Sequence, residues 1–185
     1  MERGDLSELE AWLEARGIDT SQWGRGAAKT VAALVEEVAS GESHLHDSPP
    51  RRCVSLVNVL IQKGDRTLIE TGQELEDGRV RARNRPLSEK IRAHELYQDA
   101  ALRGIEEELG VPAERVHVLE ATHRVEQTEI DSPSYPGLTT CYLIHTVEVE
   151  IEGLPEGDFC TLEKSESQGE LIGKHHWSWR RLESV

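Results

Sequence analysis

The sequence predicts an α/β domain, a mixed β-sheet with helices packed on its faces, preceded by a small N-terminal helical pair. Three observations predict it. From Cys53 to Ile61 runs a nearly continuous apolar stretch rich in Val and Leu, the composition of a strand buried on both faces. A long segment then closes with Leu109-Gly110-Val111-Pro112, the Gly-then-Pro order that ends a helix. Beyond it the chain returns to strand-like stretches over 115–129 and 138–151. Residues 1–50 are read as the helical extension and 51–185 as the main domain.

Taken in order, Asp5 or Ser7 caps a first helix in which Leu6, Leu9, Trp12 and Leu13 recur at helical spacing, and Gly17 stops it. Trp23 sits among turn residues in a structured loop. Ala27, Val31, Leu34, Val35 and Val38 form one stripe of a second helix ending near Gly41. Two short amphipathic helices bury too little to fold alone. The pair is therefore expected to dock on the main domain or on a protein partner, and an exposed Trp12 or Trp23 would suit the latter. His44 to Pro50 reads as a linker. After the buried strand, Lys63-Gly64-Asp65 turns the chain into a second strand over 66–71. Residues 73–78 read as a loop, 79–85 as a third strand, and 88–109 as the long helix. Short extended pieces follow at 159–162 and 175–179.

Composition bounds the function. Of the 185 residues, 37% are hydrophobic and 30% charged, which describes a globular chain with a modest core. Only 4% are aromatic, so Val, Leu, Ile and Ala must build most of that core. A net charge of −14 repels phosphates on average and excludes nonspecific nucleic-acid binding by the whole surface. Cys53, Cys141 and Cys160 lie far apart without a CxxC pair. That pattern suits a reducing compartment, argues against a disulfide framework or zinc site, and leaves each as a small buried residue. No apolar run is long enough to span a membrane, and the acidic start lacks signal-peptide character. The expected location is intracellular, in the cytoplasm or an organelle matrix.

The densest chemistry lies in Arg103-Gly104-Ile105-Glu106-Glu107-Glu108-Leu109-Gly110-Val111. On a helix, Leu102, Ile105 and Leu109 form an inward apolar stripe, while positions 104, 107 and 108 are neighbours on another face. Glu107 and Glu108 then project hard oxygen ligands into one small volume. Such clustering is unfavourable unless a cation screens it, and Mg²⁺ prefers few carboxylates plus water and substrate phosphates. Arg103 stands one turn before Glu107, close enough to orient it. Glu106 is read as an ordinary solvated carboxylate.

This segment resembles the box of the Nudix hydrolase family: Gly, five residues, Glu, seven residues, then Arg-Glu-U-x-Glu-Glu-x-Gly-U, with U a bulky aliphatic. Glu95, Arg103, Ile105, Glu107, Glu108, Gly110 and Val111 match. Two positions depart: the opening Gly is Glu89, and the Glu after the Arg is Gly104. The resemblance implies a Nudix-like α/β/α sandwich. It also implies a Mg²⁺ or Mn²⁺ site in which Glu107 and Glu108 hold metal, with Glu95 and Arg103 in support, at a diphosphate bridge attacked by water. The missing carboxylate at 104 weakens that set. Glycine inside a helix also costs ~1 kcal/mol relative to alanine, which fits either close approach of another backbone or a bulky ligand there, or neutral drift. A replacement base is sought among Glu126, Glu129, Asp131 and Glu163. Glu89 would crowd the metals or supply a replacement carboxylate.

Arg79, Arg81, Arg83 and Arg85 recur every second residue just before the box, so a strand would aim all four one way. Their planar forks suit phosphate; the plainer reading is a solvated edge strand. Tyr135, in Ser134-Tyr135-Pro136-Gly137, could stack on a base or simply fill a turn. Trp177 and Trp179 share a strand face and read as packing. His175 and His176 point opposite ways, against a joint metal role.

Two functions follow. One is a Mg²⁺-dependent pyrophosphohydrolase acting on a nucleoside diphosphate linked to another moiety. The other is an inactive Nudix-fold subunit that binds a nucleotide or an RNA 5′ end within a larger complex, docking through its N-terminal helices.

Overall fold

In the computed structural model, residues 5–26, 28–164 and 172–181 are described, and Ala27, expected on a helix stripe, lies outside them. The described residues include helices α1 (Leu6–Glu14), α2 (Val31–Ala39) and α3 (Tyr97–Leu109). The strands are β1 (His44–Asp47), β2 (Pro50–Lys63), β3 (Arg66–Leu75), β4 (Val80–Arg85) and β5 (Leu87–Lys90), then β6 (Val116–Asp131), β7 (Thr139–Ile151), β8 (Phe159–Leu162) and β9 (Ile172–Arg180). The sheet runs β6-β7-β2-β3-β9-β8, with β4 added on β3, β1 and β5 on β2. This is the mixed α/β architecture the sequence predicts, with the helical pair in front.

The chain divides into two compact units. The first comprises Met1–Leu56, Lys90–Glu95 and Val125–Ile144, and the second Val57–Glu89, Leu96–Arg124 and His145–Val185.

In the first unit, Asp5 caps α1 by accepting from the Ser7 amide, and Thr30 caps α2 by accepting from Ala33. Their apolar faces share one core: Leu9, Trp12, Leu13, Trp23 and Leu34 with Tyr135 and Leu138. Trp12 and Trp23 are each only 8% exposed. The expectation of an exposed indole for docking is therefore corrected: Trp23 spends its N–H on the Pro136 carbonyl at 2.9 Å and Trp12 on Asp47 at 2.8 Å. Below this core lies a buried ionic knot. Glu37 accepts from Lys29 at 2.7 Å, from Ser43 at 2.8 Å and from Arg52 at 2.5 Å, with Lys90 at 3.3 Å. The expected linker at 44–50 is instead β1 turning into β2, with His44 opposite Cys53; backbone pairing claims a polar segment that composition alone assigns to a loop.

In the second unit β3 is longer than expected, continuing through Gln73–Leu75, because β4 and β9 pair with it on either side. A bulge between Glu70 and Gly72 inserts one residue, so Glu70 and Gln73 face the same way. The long helix is also shorter than its sequence pattern. Leu87–Lys90 is a strand, and α3 begins only at Tyr97, after His94 takes a φ of 67° that a helix cannot carry. Gly110 closes α3 at φ 68°. The three cysteines are free; Cys141 is buried, Cys53 half-buried and Cys160 exposed, so the buried reading fails for Cys160.

Candidate active site

Helix α3 presents Ile105 and Leu109 to the core, leaving Glu106 exposed to solvent and Glu107 and Glu108 partly covered. Arg103 donates to Glu89 Oε1 at 2.8 Å and lies 3.6 Å from Glu107 Oε2, so one guanidinium spans a strand carboxylate and a helix carboxylate. Gly104 is where they meet. A Cβ there would lie 3.0 Å from Glu89 Cβ, 3.2 Å from Glu89 Cγ and 3.1 Å from Leu87 Cδ2, tighter than side-chain carbons ordinarily pack. The glycine thus admits the side chain of Glu89.

Glu108 faces two residues that sequence reasoning left out as a set. His175 is fully buried on β9. Its Nδ1 lies 2.7 Å from Glu70 Oε1 and 3.6 Å from Glu108 Oε2, and its Nε2 lies 3.0 Å from Glu163 Oε2. One donor atom each from Glu70, Glu108 and His175 fall within 4.8 Å of one another. His175 and His176 do point opposite ways, as expected; the omission was that His175 can meet carboxylates by itself. The available signal was Glu70, a carboxylate directly after the apolar pair Leu68-Ile69 in a predicted strand.

The electrostatics describe a site short of positive charge. Burial pushes the Glu108 carboxyl well above its ordinary range; His175 opposes this, and the negative charges of Glu70, Glu89 and Glu163 reinforce it. Burial alone would lower the His175 imidazole, yet hydrogen bonds to Glu163 and Glu70, with Glu108 alongside, raise it to about 9. Glu70 is held below the usual carboxylate range despite its burial, by hydrogen bonds from His175 and Arg83. Oxygen donors in excess suit a divalent cation such as Mg²⁺ or Mn²⁺, and His175 could add an imidazole nitrogen only on losing the proton that its carboxylate partners favour. The absent Cβ at 104 leaves room for Glu89 Cβ and Cγ against α3, and the Glu89 carboxylate is held by Arg103. The residues present fit a metal.

The remaining predicted residues fall in different places. Arg81 donates to Gln73 at 2.7 Å and Arg83 to Glu70 at 3.1 Å, and the second bond ties Arg83 to the acidic cluster. Arg79 precedes β4 and pairs with Asp77 at 2.7 Å inside the turn, while Asn84, at φ 54°, interrupts the alternation before exposed Arg85. The four arginines do not form one stripe. Glu95 precedes the helix and accepts from the Arg92 amide at 2.8 Å, a local turn bond within the first unit. Tyr135 is 0% exposed, its ring 5.0 Å from that of Trp23, so it packs and offers no face to a ligand. Of the carboxylates considered as a base, Glu163 joins the His175 cluster, and Glu129 pairs with Arg51 in the first unit. Trp177 is buried as expected, donating to Thr161 at 2.8 Å.

Comparison with known proteins adds the family. Among curated protein sequences none matches. Solved structures that resemble the chain include the Ap4A hydrolase of C. elegans in a binary complex, at 15% identity and a TM-score of 0.40, covering 69% of this chain and 80% of that one. A NUDIX-family hydrolase from Clostridium perfringens is 17% identical with a TM-score of 0.34, covering 67% and 80%. The dihydroneopterin triphosphate pyrophosphohydrolase of E. coli is 17% identical with a TM-score of 0.35, covering 70% and 79%. The family model of the NUDIX domain matches residues 55–181, more than half of the sequence and all of the cluster just described, and the chain belongs to the Nudix family.

Proposed function

We propose that the protein is a divalent-metal-dependent pyrophosphohydrolase that cleaves the diphosphate bond of a nucleoside diphosphate linked to another moiety. The observation that carries this reading is the convergence of Glu108, Glu70 and His175 donor atoms within 4.8 Å in a Nudix domain. Glu108, Glu107 and Glu70 would hold Mg²⁺ or Mn²⁺, with His175 and Glu163 at the edge of the set. The metal, when bound, polarises the phosphoryl oxygens and lowers the pKa of a coordinated water. Arg81 and Arg83 would meet phosphate, because their partners Gln73 and Glu70 lie on β3, the strand that contributes Glu70 to the acidic set. Arg103 keeps Glu107 oriented through the 3.6 Å contact.

The test is formation of a nucleoside monophosphate and the phosphorylated second moiety from a panel of nucleoside diphosphates linked to a sugar, a second nucleotide or an RNA 5′ end, with Mg²⁺, Mn²⁺ or chelator. Metal-dependent turnover that Glu108→Gln abolishes supports the reading. Its defeat is a folded protein that hydrolyses none of these with either metal. One observation favours a second reading, a nucleotide-binding subunit without turnover: the helix lacks a carboxylate at Gly104. That alternative would show as calorimetric binding of the same nucleotides with no product.

A further inference from the structure

Glu89 and Gly104 are in contact, and that contact has a chemical direction. Glu89 stands on β5 with its Cβ and Cγ packed where a side chain at Gly104 would begin, the helix position whose neighbours one turn on are Glu107 and Glu108. Arg103 fixes it there through a 2.8 Å hydrogen bond to one oxygen while also reaching toward Glu107. The charge of Glu89 is felt at Glu108 as repulsion. An ordinary surface ion pair does not bring an extra carboxylate toward a covered one, since like charges in a partly buried volume repel. A divalent cation removes that cost.

We infer that Glu89 is a metal ligand in this chain, delivering from strand β5 the carboxylate that helix position 104 does not carry. This rests on the metal-site reading above and adds a residue to it. A carboxylate has lone-pair capacity for both a guanidinium hydrogen bond and a cation, so the bond to Arg103 and metal ligation are compatible. The geometry also implies exchange. A glutamate at 104 and the glutamate at 89 compete for one space, so each residue makes sense only with the other.

Mn²⁺ binding to the full chain, followed by calorimetry and by the electron paramagnetic resonance of free Mn²⁺, tests this alongside melting temperatures in chelator. Glu89→Gln keeps the shape and can still accept from Arg103. It is expected to weaken Mn²⁺ binding at least ~10-fold, with little change in the chelator melting temperature. Glu106→Gln is expected to change neither. Gly104→Glu alone should lower the melting temperature in chelator, whereas Glu89→Gly combined with Gly104→Glu should recover both that temperature and Mn²⁺ affinity. Undiminished Mn²⁺ affinity in Glu89→Gln, with a fall only in chelator melting temperature, would make Glu89 a structural ion-pair partner and overturn the inference alone. A double variant that binds Mn²⁺ no better than Glu89→Gly does the same. Absence of Mn²⁺ binding by the unaltered protein instead overturns the metal-site reading, and this inference with it.

Discussion

Each carboxylate around α3 has a different environment, and the environments assign different consequences to the same substitution. Glu106 points to solvent, so Glu106→Gln is expected to leave turnover and stability within experimental error. Glu108 is covered and surrounded by Glu70, Glu89 and Glu163. Replacing it by Gln is expected to cut metal-dependent turnover by on the order of 10²–10⁴-fold, with the loss in kcat, because the metal acts on the reacting phosphate. Steady-state kinetics at saturating Mn²⁺ check both variants. Arg83 is a different case. It donates to a glutamate only 2% exposed, so Arg83→Ala leaves that charge to its hydrogen bond with His175. A loss of about 1–3 kcal/mol is expected in urea denaturation, and an unchanged midpoint would show that His175 suffices.

At the scale of elements, sequence and structure agree most closely at the Asp5 start of α1 and the Gly110 end of α3. Thr30 accepts from the Ala33 amide and begins α2, so Thr30→Ala is expected to cost ~1 kcal/mol. Gly110 closes α3 in the left-handed region, at φ 68°, so any side chain there is strained and also meets the Lys164 ammonium at 3.0 Å. Gly110→Ala should lower the urea midpoint by the equivalent of roughly 1 kcal/mol. The Gly110 end is legible in the sequence; the Thr30 start is not, because the helical stripe extends back to Ala27. Nor is the start of α3. Helical periodicity from Ser88 onward favours one long helix, yet Leu87–Lys90 pairs as a strand and His94 adopts φ 67°. Pairing of β5 with β2 is a long-range gain that a window of local sequence does not contain. The same cause turned 44–50 from a linker into β1 and its turn. Strand β4 shows the converse: the arginine alternation is real in sequence, and Asn84 breaks it in space.

For the molecule as a whole, acid and metal are the informative probes. Burial would raise the Glu37 carboxyl, but Arg52, Lys90 and Lys29 outweigh it and hold it at about 2. A group whose folded value lies below its unfolded value of 4.5 contributes stability that is complete above that value and is lost as the pH falls toward 2. The contribution is about 3 kcal/mol at neutral pH by this linkage. Glu37→Gln should therefore flatten the dependence of stability on pH between about 4.5 and 2, in urea titrations at stepped pH. Metal acts the other way: a ligand that binds only the folded chain stabilises it by about 2.7 kcal/mol at one hundred times its Kd. A rise in melting temperature with Mn²⁺, absent in Glu108→Gln, is the expected result. Among the described residues no helix is long and apolar enough to cross a membrane.

The sequence by itself determined the mixed α/β class, the helical pair, the Asp5 cap, the Gly110 stop, and the helix bearing Arg103, Glu107 and Glu108, since periodicity, cap residues and spacing act within a few residues of one another. Tertiary structure alone decided that Trp12, Trp23 and Tyr135 are core, that Glu70 and His175 meet Glu108, and that Glu89 fills the space above Gly104. Those contacts join residues that are 15 to more than 100 positions apart in the chain. Their energies depend on strand register and burial, which no single segment encodes.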